Sequence, residues 1–166
     1  MSSSTTSVMF FCLGNICRSP LAEALFRYHV TQRGLDDAFR IDSSGTSSYH
    51  IGEAPDPGSV RVARERLDLD ISGQRAQQLQ SSHLSDFDYL VAMVRSNLSN
   101  ARRLAGSDDA NLLLFRDFEP QAGLRGKDVP DPWGGGDDHF EEVYDIVHRC
   151  SQSLLDHICE REGLSL

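Results

Sequence analysis

The sequence predicts an α/β fold: a three-layer α/β/α domain with a four-stranded parallel sheet. Two patterns indicate this fold class. Short apolar runs, which are typical of buried strands, alternate with longer segments in which apolar residues recur every three or four positions, as in helices. In addition, a strand, a helix and a second strand follow one another within about 35 residues, which suits a βαβ unit.

Each predicted element follows from its own residues. Strands are expected at residues 8–11, 39–43, 87–94 and 111–115, and helices at about 20–33, 57–67, 95–104 and 138–159. Gly34 should end the first helix, and Asp56 should cap the second. The consecutive leucines at 112–114 are typical of a fully buried parallel strand. Residues 116–136 are rich in Gly, Pro and Asp and predict a long loop.

Length and composition indicate one globular domain over residues 1–166, with residues 1–6 as a flexible N-terminal segment. The 166 residues are enough for an ordinary hydrophobic core. Apolar and charged fractions of 39% and 25% are those of a folded, soluble protein. The net charge of −9 argues against nucleic acid or an anionic membrane as the main partner. A monomer is expected.

The sequence shows no sign of export, of a membrane span or of a metal site. No secretory signal is readable before the first strand, and no stretch approaches the roughly 18 apolar residues of a membrane helix. A cytoplasmic location is therefore the expectation. The four cysteines at 12, 17, 150 and 159 lack the spacing of a disulfide framework or a zinc site. Cys150 and Cys159 fall on or near the buried stripe of the last helix and are predicted to be inert.

The most informative stretch is residues 12–18, a cysteine followed by five residues and an arginine, between the first strand and the first helix. A loop at a helix N-terminus directs backbone N–H groups at an anion, and such a site stabilises the thiolate of Cys12. Arg18 offers two N–H groups to two oxygens of one tetrahedral anion. Taken alone, Cys12 could be an ordinary buried cysteine. The joint pattern favours a nucleophile in a site for an oxyanion.

The neighbouring residues fit a tight loop that leads into a helix. Gly14 and Asn15 are the residue types that best tolerate a positive φ. Ser19 is expected to be the N-cap of the helix, and Pro20 falls where the first helical turn accepts proline.

The sequence CLGNICRSP at residues 12–20 resembles the signature loop of the low-molecular-weight protein-tyrosine phosphatases. The likeness extends from Val8 to the helix that ends near Ile158 and includes the pair Asp131-Pro132. It implies an enzyme that hydrolyses phosphotyrosine in proteins, and small aryl phosphates, through a cysteinyl-phosphate intermediate. The implied partner is a tyrosine-phosphorylated protein substrate, and the implied chemistry needs no cofactor and no metal.

The resemblance also implies roles for individual residues. Cys12 would be the nucleophile, Arg18 would bind the phosphate oxygens and Asp131 would be the general acid. The implied phosphate-binding residues are Leu13, Gly14, Asn15, Ile16, Cys17 and Arg18. Ser19 is expected to donate a hydrogen bond to the sulfur.

Three further positions match the family around this loop. Ser43 would hydrogen-bond to Asn15 behind the loop, although an ordinary Ser/Gly turn is the alternative there. Tyr49 and Trp133 would form an aromatic rim at the mouth of the site.

The residues of the long loop alone offer three candidate acids, Asp117, Asp128 and Asp131. Pro130 and Pro132 restrict the backbone around Asp131. A solvated acidic loop without a catalytic role is the alternative. The resemblance selects Asp131, because the general acid of the family is the aspartate of an Asp-Pro pair, and leaves Asp128 as the second candidate.

The chain departs from the family pattern at two places. Gln74 and Gln77 stand where the family commonly carries a histidine and an arginine, which affects the fine adjustment of the loop. Trp133 and the glycines at 134–136 replace one or two tyrosines. The pair Cys12 and Cys17 matches a family feature, a reversible disulfide that protects the nucleophile; small-residue packing of Cys17 is the alternative.

Three rival functions stay open. A protein-arginine phosphatase of the same fold would carry threonine in place of Ile16. A thiol-dependent arsenate reductase would need further cysteines on a mobile segment, and residues 72–94 contain none. A phosphate-binding module without activity would need the loss of Cys12 or Asp131.

Overall fold

The computed structural model describes residues 5–105 and 111–164. Its strands are β1 (Thr6–Cys12), β2 (Phe39–Gly45), β3 (Tyr89–Ala92) and β4 (Leu112–Leu114). Its helices are α1 (Arg18–Gln32), α2 (Pro57–Leu67), α3 (Ser81–Asp86), α4 (Arg95–Ala105) and α5 (Asp137–Glu162). Short 3₁₀ turns lie at Asp36–Ala38, Phe115–Phe118 and Ala122–Leu124. Of the predicted flexible segment, residues 1–4 lie outside the described residues, and Thr6 already belongs to β1.

The four strands form one parallel sheet in the order β2-β1-β3-β4, which confirms the predicted fold class. β1 is central and fully buried because both of its neighbours are strands. Its side chains alternate between the two faces. Phe10 packs in the larger cluster with α1, α2 and α5, whereas Phe11 packs in the smaller cluster with α3 and α4. The helices therefore form the two outer layers.

Two local signals from the sequence are confirmed at helix ends. Gly34 follows α1 with φ of 67°, a conformation that favours glycine. Asp56 caps α2, since its Oδ1 accepts a hydrogen bond from the backbone N–H of Gly58 at 2.9 Å.

Two expectations are wrong. β4 is an edge strand in which Leu112 and Leu113 are only half-buried, since β4 pairs with β3 on one side alone. An apolar run does not distinguish an edge strand from a central one. Ser19 is not the N-cap of α1, because the helix begins one residue earlier, at Arg18, with Cys17 as its N-cap and without a side-chain cap bond. The hydroxyl of Ser19 contacts the Cys12 sulfur instead.

The loop after β1 crosses closely over the end of β2. A Cβ atom on Gly45 would lie 2.7 Å from the carbonyl oxygen of Leu13 and 2.9 Å from the carbonyl carbon of Gly14. Both are backbone atoms and cannot move without moving the loop. Glycine at position 45 is therefore a requirement of the loop rather than of the strand.

In the part of the chain that the structure describes, no helix combines the length and the apolar character that crossing a bilayer requires.

Helices α1 and α5 contact each other through a pair of imidazoles, of which His29 is buried and His148 is half-buried. The rings of His29 and His148 lie with centroids 4.8 Å apart, and His148 stacks on Tyr144. Burial, together with the charges of His148 and Arg33, lowers the pKa of His29 to about 4. Burial also lowers the pKa of His148. The folded protein therefore favours the neutral form of both rings.

This pair predicts a loss of stability in mild acid. Below the ordinary histidine pKa of about 6.5 the unfolded chain binds a proton that folded His29 binds only near pH 4, so stability falls as pH falls across that window. We expect His29→Gln to reduce the slope of unfolding free energy against pH by up to about 1.4 kcal/mol per pH unit. Denaturant unfolding at several values of pH between about 4 and 7.5 measures this slope.

The matched control is His139→Gln, which replaces an exposed histidine of α5 and should keep the slope of the parent. Equal slopes for His29→Gln and the parent would contradict the prediction.

Candidate active site

A cavity of about 200 Å³ opens at the carboxyl end of β1, where a parallel sheet places its ligands. The structure brings the predicted nucleophile, cation and acid together in it. The lining residues are Cys12, Leu13, Gly14, Ile16, Cys17, Arg18, Tyr49, His50, Asp131 and Trp133.

The sulfur of Cys12 lies at the floor of this cavity and is held by two donors. The backbone N–H of Asn15 donates to Sγ at 3.2 Å, and the hydroxyl oxygen of Ser19 lies 3.1 Å from Sγ. The same hydroxyl is 3.3 Å from the carbonyl oxygen of Ser44. Because a thiolate can only accept, Ser19 donates to the sulfur when Cys12 is ionised. Both contacts stabilise negative charge on the sulfur.

Asn15 shapes the loop from behind. Its φ of 59° is left-handed, and its side-chain N–H groups donate to the hydroxyls of Ser19 at 2.9 Å and Ser43 at 3.0 Å. Its Oδ1 accepts from the backbone N–H of Gln77 at 3.0 Å. The expected contact with Ser43 is present. Asn15 is buried and does not line the cavity, so its side chain supports the loop and its N–H faces the sulfur.

A buried carboxyl stands behind Ser43. The hydroxyl of Ser43 donates to Oε1 of Glu23 at 2.7 Å, and Arg27 donates to Oε2 at 3.0 Å. Burial raises the pKa of Glu23, although both hydrogen bonds oppose that effect. Sequence reasoning missed Glu23; the available signal was its place four residues after Ser19 on the same face of α1.

Arg18 connects the loop after β1 with residues 128–131, the segment that carries Asp131 (the acid segment). It is buried, its Nη1 donates to the carbonyl oxygen of Val129 at 3.1 Å, and its Nη2 lies 3.8 Å from Oδ2 of Asp131. Its Nε has no hydrogen-bond partner within the described ranges. The Asp131 side chain is 50% exposed, and its Oδ1 accepts from the backbone N–H of Trp133 at 3.0 Å. The guanidinium is therefore fixed on one side and open to an anion on the other.

Of the three acid candidates, only Asp131 lines the cavity. Asp128 caps α4, since its Oδ1 accepts from the backbone N–H of Arg95 at 2.9 Å and lies 3.5 Å from Nε of the same residue. Asp117 is exposed and lies in the 3₁₀ turn after β4. The carboxylate of Asp128 is therefore engaged at the N-terminus of α4 and does not line the cavity.

Cys17 lines the same cavity as Cys12. Burial raises the pKa of Cys17 strongly, and the charges of Asp56 and Cys12 raise it further. Its thiol is therefore protonated at neutral pH. Cys150 and Cys159 are fully buried in α5 and do not line the cavity, as expected for inert residues.

The mouth of the cavity is aromatic and apolar. Tyr49 is 79% exposed and Trp133 is 63% exposed, and both lie at the positions expected for the rim. Sequence reasoning missed His50, which lines the same wall and pairs with Glu53 at 2.6 Å between Nδ1 and Oε2. No spacing pattern marked it.

The two glutamines that replace family residues act differently. Gln77 supports the loop directly: besides its backbone contact to Asn15, its Nε2 donates to the carbonyl oxygen of Ser43 at 2.9 Å. Gln74 instead donates to the carbonyl oxygen of Pro20 at 3.1 Å, in the first turn of α1.

Across residues 5–105 and 111–164, no three His, Cys, Asp or Glu side chains are arranged to hold a metal ion. The cavity is lined by two thiols, a guanidinium, a carboxyl and an imidazole, with the phenol of Tyr49 and the indole of Trp133 at its mouth. This set suits attack by sulfur on an anionic centre, with a carboxyl nearby to move a proton.

Comparison with known proteins finds one family that matches almost the whole chain. Residues 7–163 match the family model of the low molecular weight phosphotyrosine protein phosphatases. A low molecular weight protein-tyrosine-phosphatase of Streptomyces coelicolor is 41% identical over 160 residues, covering 95% of this chain and 96% of the relative. YfkJ of Bacillus subtilis, with the same family name, is 37% identical over 159 residues, covering 95% and 99%.

Solved structures of proteins with this fold also match the chain over most of its length. The crystal structure of YfkJ matches with a TM-score of 0.88 at 35% identity and covers 97% of this chain and 99% of that one. A Drosophila arginine phosphatase matches with a TM-score of 0.82 at 26% identity, covering 91% and 96%. With the cysteine loop, the buried arginine and the Asp-Pro pair around one cavity, these matches show that the chain belongs to the low molecular weight phosphotyrosine protein phosphatase family.

Proposed function

We propose that the protein hydrolyses phosphotyrosine in proteins, and small aryl phosphates, through a cysteinyl-phosphate intermediate. The observation that carries this proposal is the meeting of the Cys12 sulfur, the Arg18 guanidinium and the Asp131 carboxyl in one cavity. Family membership supports a phosphatase that acts on phosphoproteins. A single domain, a monomeric state and a cytoplasmic location stay predictions.

In the first step the Cys12 thiolate attacks phosphorus in line with the ester oxygen. The S–P bond forms, the P–O bond to the aryl group breaks, and Asp131 gives its proton to the leaving oxygen. Arg18 and the N–H groups of residues 13–18 bind the other phosphate oxygens, whose geometry must be fixed in a loose transition state. The Nε of Arg18, which has no hydrogen-bond partner among the residues that the structure describes, supports this assignment.

In the second step water attacks phosphorus and gives its proton to Asp131. The S–P bond breaks, and phosphate leaves with the thiolate restored. The hydrogen bonds from Ser19 and the N–H of Asn15 stabilise the departing sulfur anion, which makes it a better leaving group.

The walls of the cavity favour an aromatic ester. Leu13 and Ile16 line it, and the rings of Tyr49 and Trp133 stand at its mouth, where a phenyl ring can pack. The rim therefore supports phosphotyrosine as the substrate class.

The rival activities have weaker support. The arginine phosphatase of Drosophila shows that this fold accommodates phosphoarginine, but Ile16 gives this cavity an apolar side chain where that branch carries threonine. Arsenate reduction needs accessible resolving cysteines, whereas Cys150 and Cys159 are buried in α5.

The substrate prediction concerns matched phosphotyrosine, phosphoserine and phosphoarginine peptides. We expect phosphate release from the phosphotyrosine peptide, with kcat/KM reduced at least about 1000-fold in Cys12→Ser, because a hydroxyl is a far weaker nucleophile here than a thiolate. Preference for phosphoarginine would instead assign the protein to the protein-arginine phosphatases of this fold. An active Cys12→Ser enzyme would refute the mechanism.

The acid prediction concerns Asp131→Asn. We expect kcat/KM for phenyl phosphate to fall about 100- to 1000-fold, because phenolate is a poor leaving group without a proton donor. The loss should be much smaller for 4-nitrophenyl phosphate, whose leaving group needs little protonation, and inhibition by inorganic phosphate should persist. An equal loss on both esters would exclude Asp131 as the acid.

The redox prediction concerns Cys17. After peroxide oxidises Cys12 to the sulfenic acid, the Cys17 thiol would lose its proton and attack that sulfur; the S–S bond forms, the S–O bond breaks, and the released hydroxide takes up a proton to give water. Its raised pKa makes this step slow at neutral pH and faster as pH rises. We expect dithiothreitol to restore activity fully in the parent and in Cys159→Ala but only partly in Cys17→Ala. Full recovery of Cys17→Ala would rule out the switch.

A further inference from the structure

The segment that carries Asp131 is fixed at residues 128–129. The backbone N–H of Val129 donates to the carbonyl oxygen of Met93 at 2.9 Å, which ties the segment to the end of β3. The carbonyl oxygen of Val129 accepts from Arg18, and the side chain of Asp128 caps α4. These contacts come from the residue that follows β3, from Arg18 at the start of α1, and from the N-terminus of α4.

One further contact comes from a residue outside the cavity. Nη1 of Arg116 donates to the carbonyl oxygen of Asp128 at 2.9 Å. Two guanidinium groups, those of Arg116 and Arg18, thus hold consecutive carbonyl groups of the acid segment. Pro130 follows directly and restricts the backbone. The orientation of these two peptide groups therefore determines the position of the Asp131 backbone.

Arg116 is itself immobilised by a buried carboxylate. Its Nε and Nη2 lie 2.8 and 2.7 Å from Oε2 of Glu119, whose side chain is fully buried. Arg149 holds the same carboxylate from α5, with Nε 2.6 Å from Oε1 and Nη2 3.0 Å from Oε2. Burial acts to raise the pKa of Glu119, but the hydrogen bonds from Arg149 and Arg116 lower it overall. Glu119 is therefore a fixed anion.

The two arginines differ in what they reach. Both pair with Glu119, but only Arg116 contacts the acid segment in the described part of the chain. A buried ion cluster is a weak source of stability compared with apolar packing of the same volume. Its particular value here is geometric, because a guanidinium held rigidly on one side presents its remaining N–H at a fixed point.

We propose that Arg116, held by Glu119, is a positioning residue for the general acid, and that it acts by fixing the Asp128 carbonyl and with it the backbone that leads to Asp131. The inference rests on the proposed function, in which Asp131 protonates the leaving group. Arg116 does not line the cavity.

The test is Arg116→Gln, assayed as kcat/KM on phenyl phosphate and on 4-nitrophenyl phosphate. Misplacement of a catalytic group by a fraction of an ångström to about 1 Å lowers rates by about 10- to 100-fold. We expect a loss of at least about tenfold on phenyl phosphate and a clearly smaller loss on 4-nitrophenyl phosphate. A loss of general stability would reduce both rates equally.

The matched control is Arg149→Gln, which removes an equivalent partner of Glu119 but no contact with the acid segment. It should keep the ratio of the two rates found in the parent. Arg116→Lys keeps a positive charge beside Glu119 without the fork that reaches Asp128. It should show the changed ratio even if Arg116→Gln does not fold.

A double variant separates positioning from any independent effect. In the Asp131→Asn background, Arg116→Gln or Arg116→Lys should change neither rate further, because the group being positioned is absent. Additive losses in the double variant would overturn the proposal, as would a parental ratio in both Arg116 variants. If Asp131→Asn itself lowers both rates equally, the acid assignment fails and the positioning role fails with it.

Discussion

The site depends on the left-handed backbone of Asn15 and on the three hydrogen bonds that its side chain makes. A residue other than glycine in this conformation carries a strain of roughly 1–3 kcal/mol, and each neutral hydrogen bond contributes about 1 kcal/mol. The contacts with Ser19, Ser43 and Gln77 are therefore of the size needed to hold the loop closed. They come from α1, β2 and the segment after α2. The loop turns the Asn15 N–H toward the sulfur only because all three hold it.

The cavity holds a buried cation within an acidic protein. The chain carries a net charge of −9, but the arginine that faces the cavity is buried and held by a backbone carbonyl, so solvent screens it little. The local field at this arginine therefore depends more on its immediate surroundings than on the overall charge.

The parts of the site that were predictable are local in sequence. The apolar run, the permissive Gly14 and Asn15, and the spacing of Cys12 and Arg18 lie within a few residues of one another, so pattern and resemblance identified them. Asp131 was selected by the family resemblance, through the pair Asp131-Pro132, because the residues of the loop alone left three candidate acids. The Asp56 cap and the turn at Gly34 followed from the same kind of local rule.

The unpredicted parts are long-range or involve a choice between two partners. Ser19 was expected both as a helix cap and as a donor to the sulfur, and only the folded loop shows that its hydroxyl meets the sulfur and does not cap α1. Glu23 meets Ser43 across 20 residues, and Glu119 meets Arg149 across 30. No periodicity encodes such pairs, because each depends on how α1, β2 and α5 are stacked. The misassigned burial of β4 has the same origin, since edge and centre are properties of the whole sheet.

The contact between Arg18 and Val129, which are 111 residues apart, separates the two walls of the cavity in time during synthesis. Cys12 and Arg18 leave the ribosome before β3, β4 and α5 do. Until those elements follow, β1 lacks one neighbouring strand and part of the helical layer that packs on Phe10. The cavity is therefore completed late, when α5 docks and residues 128–129 make their contacts.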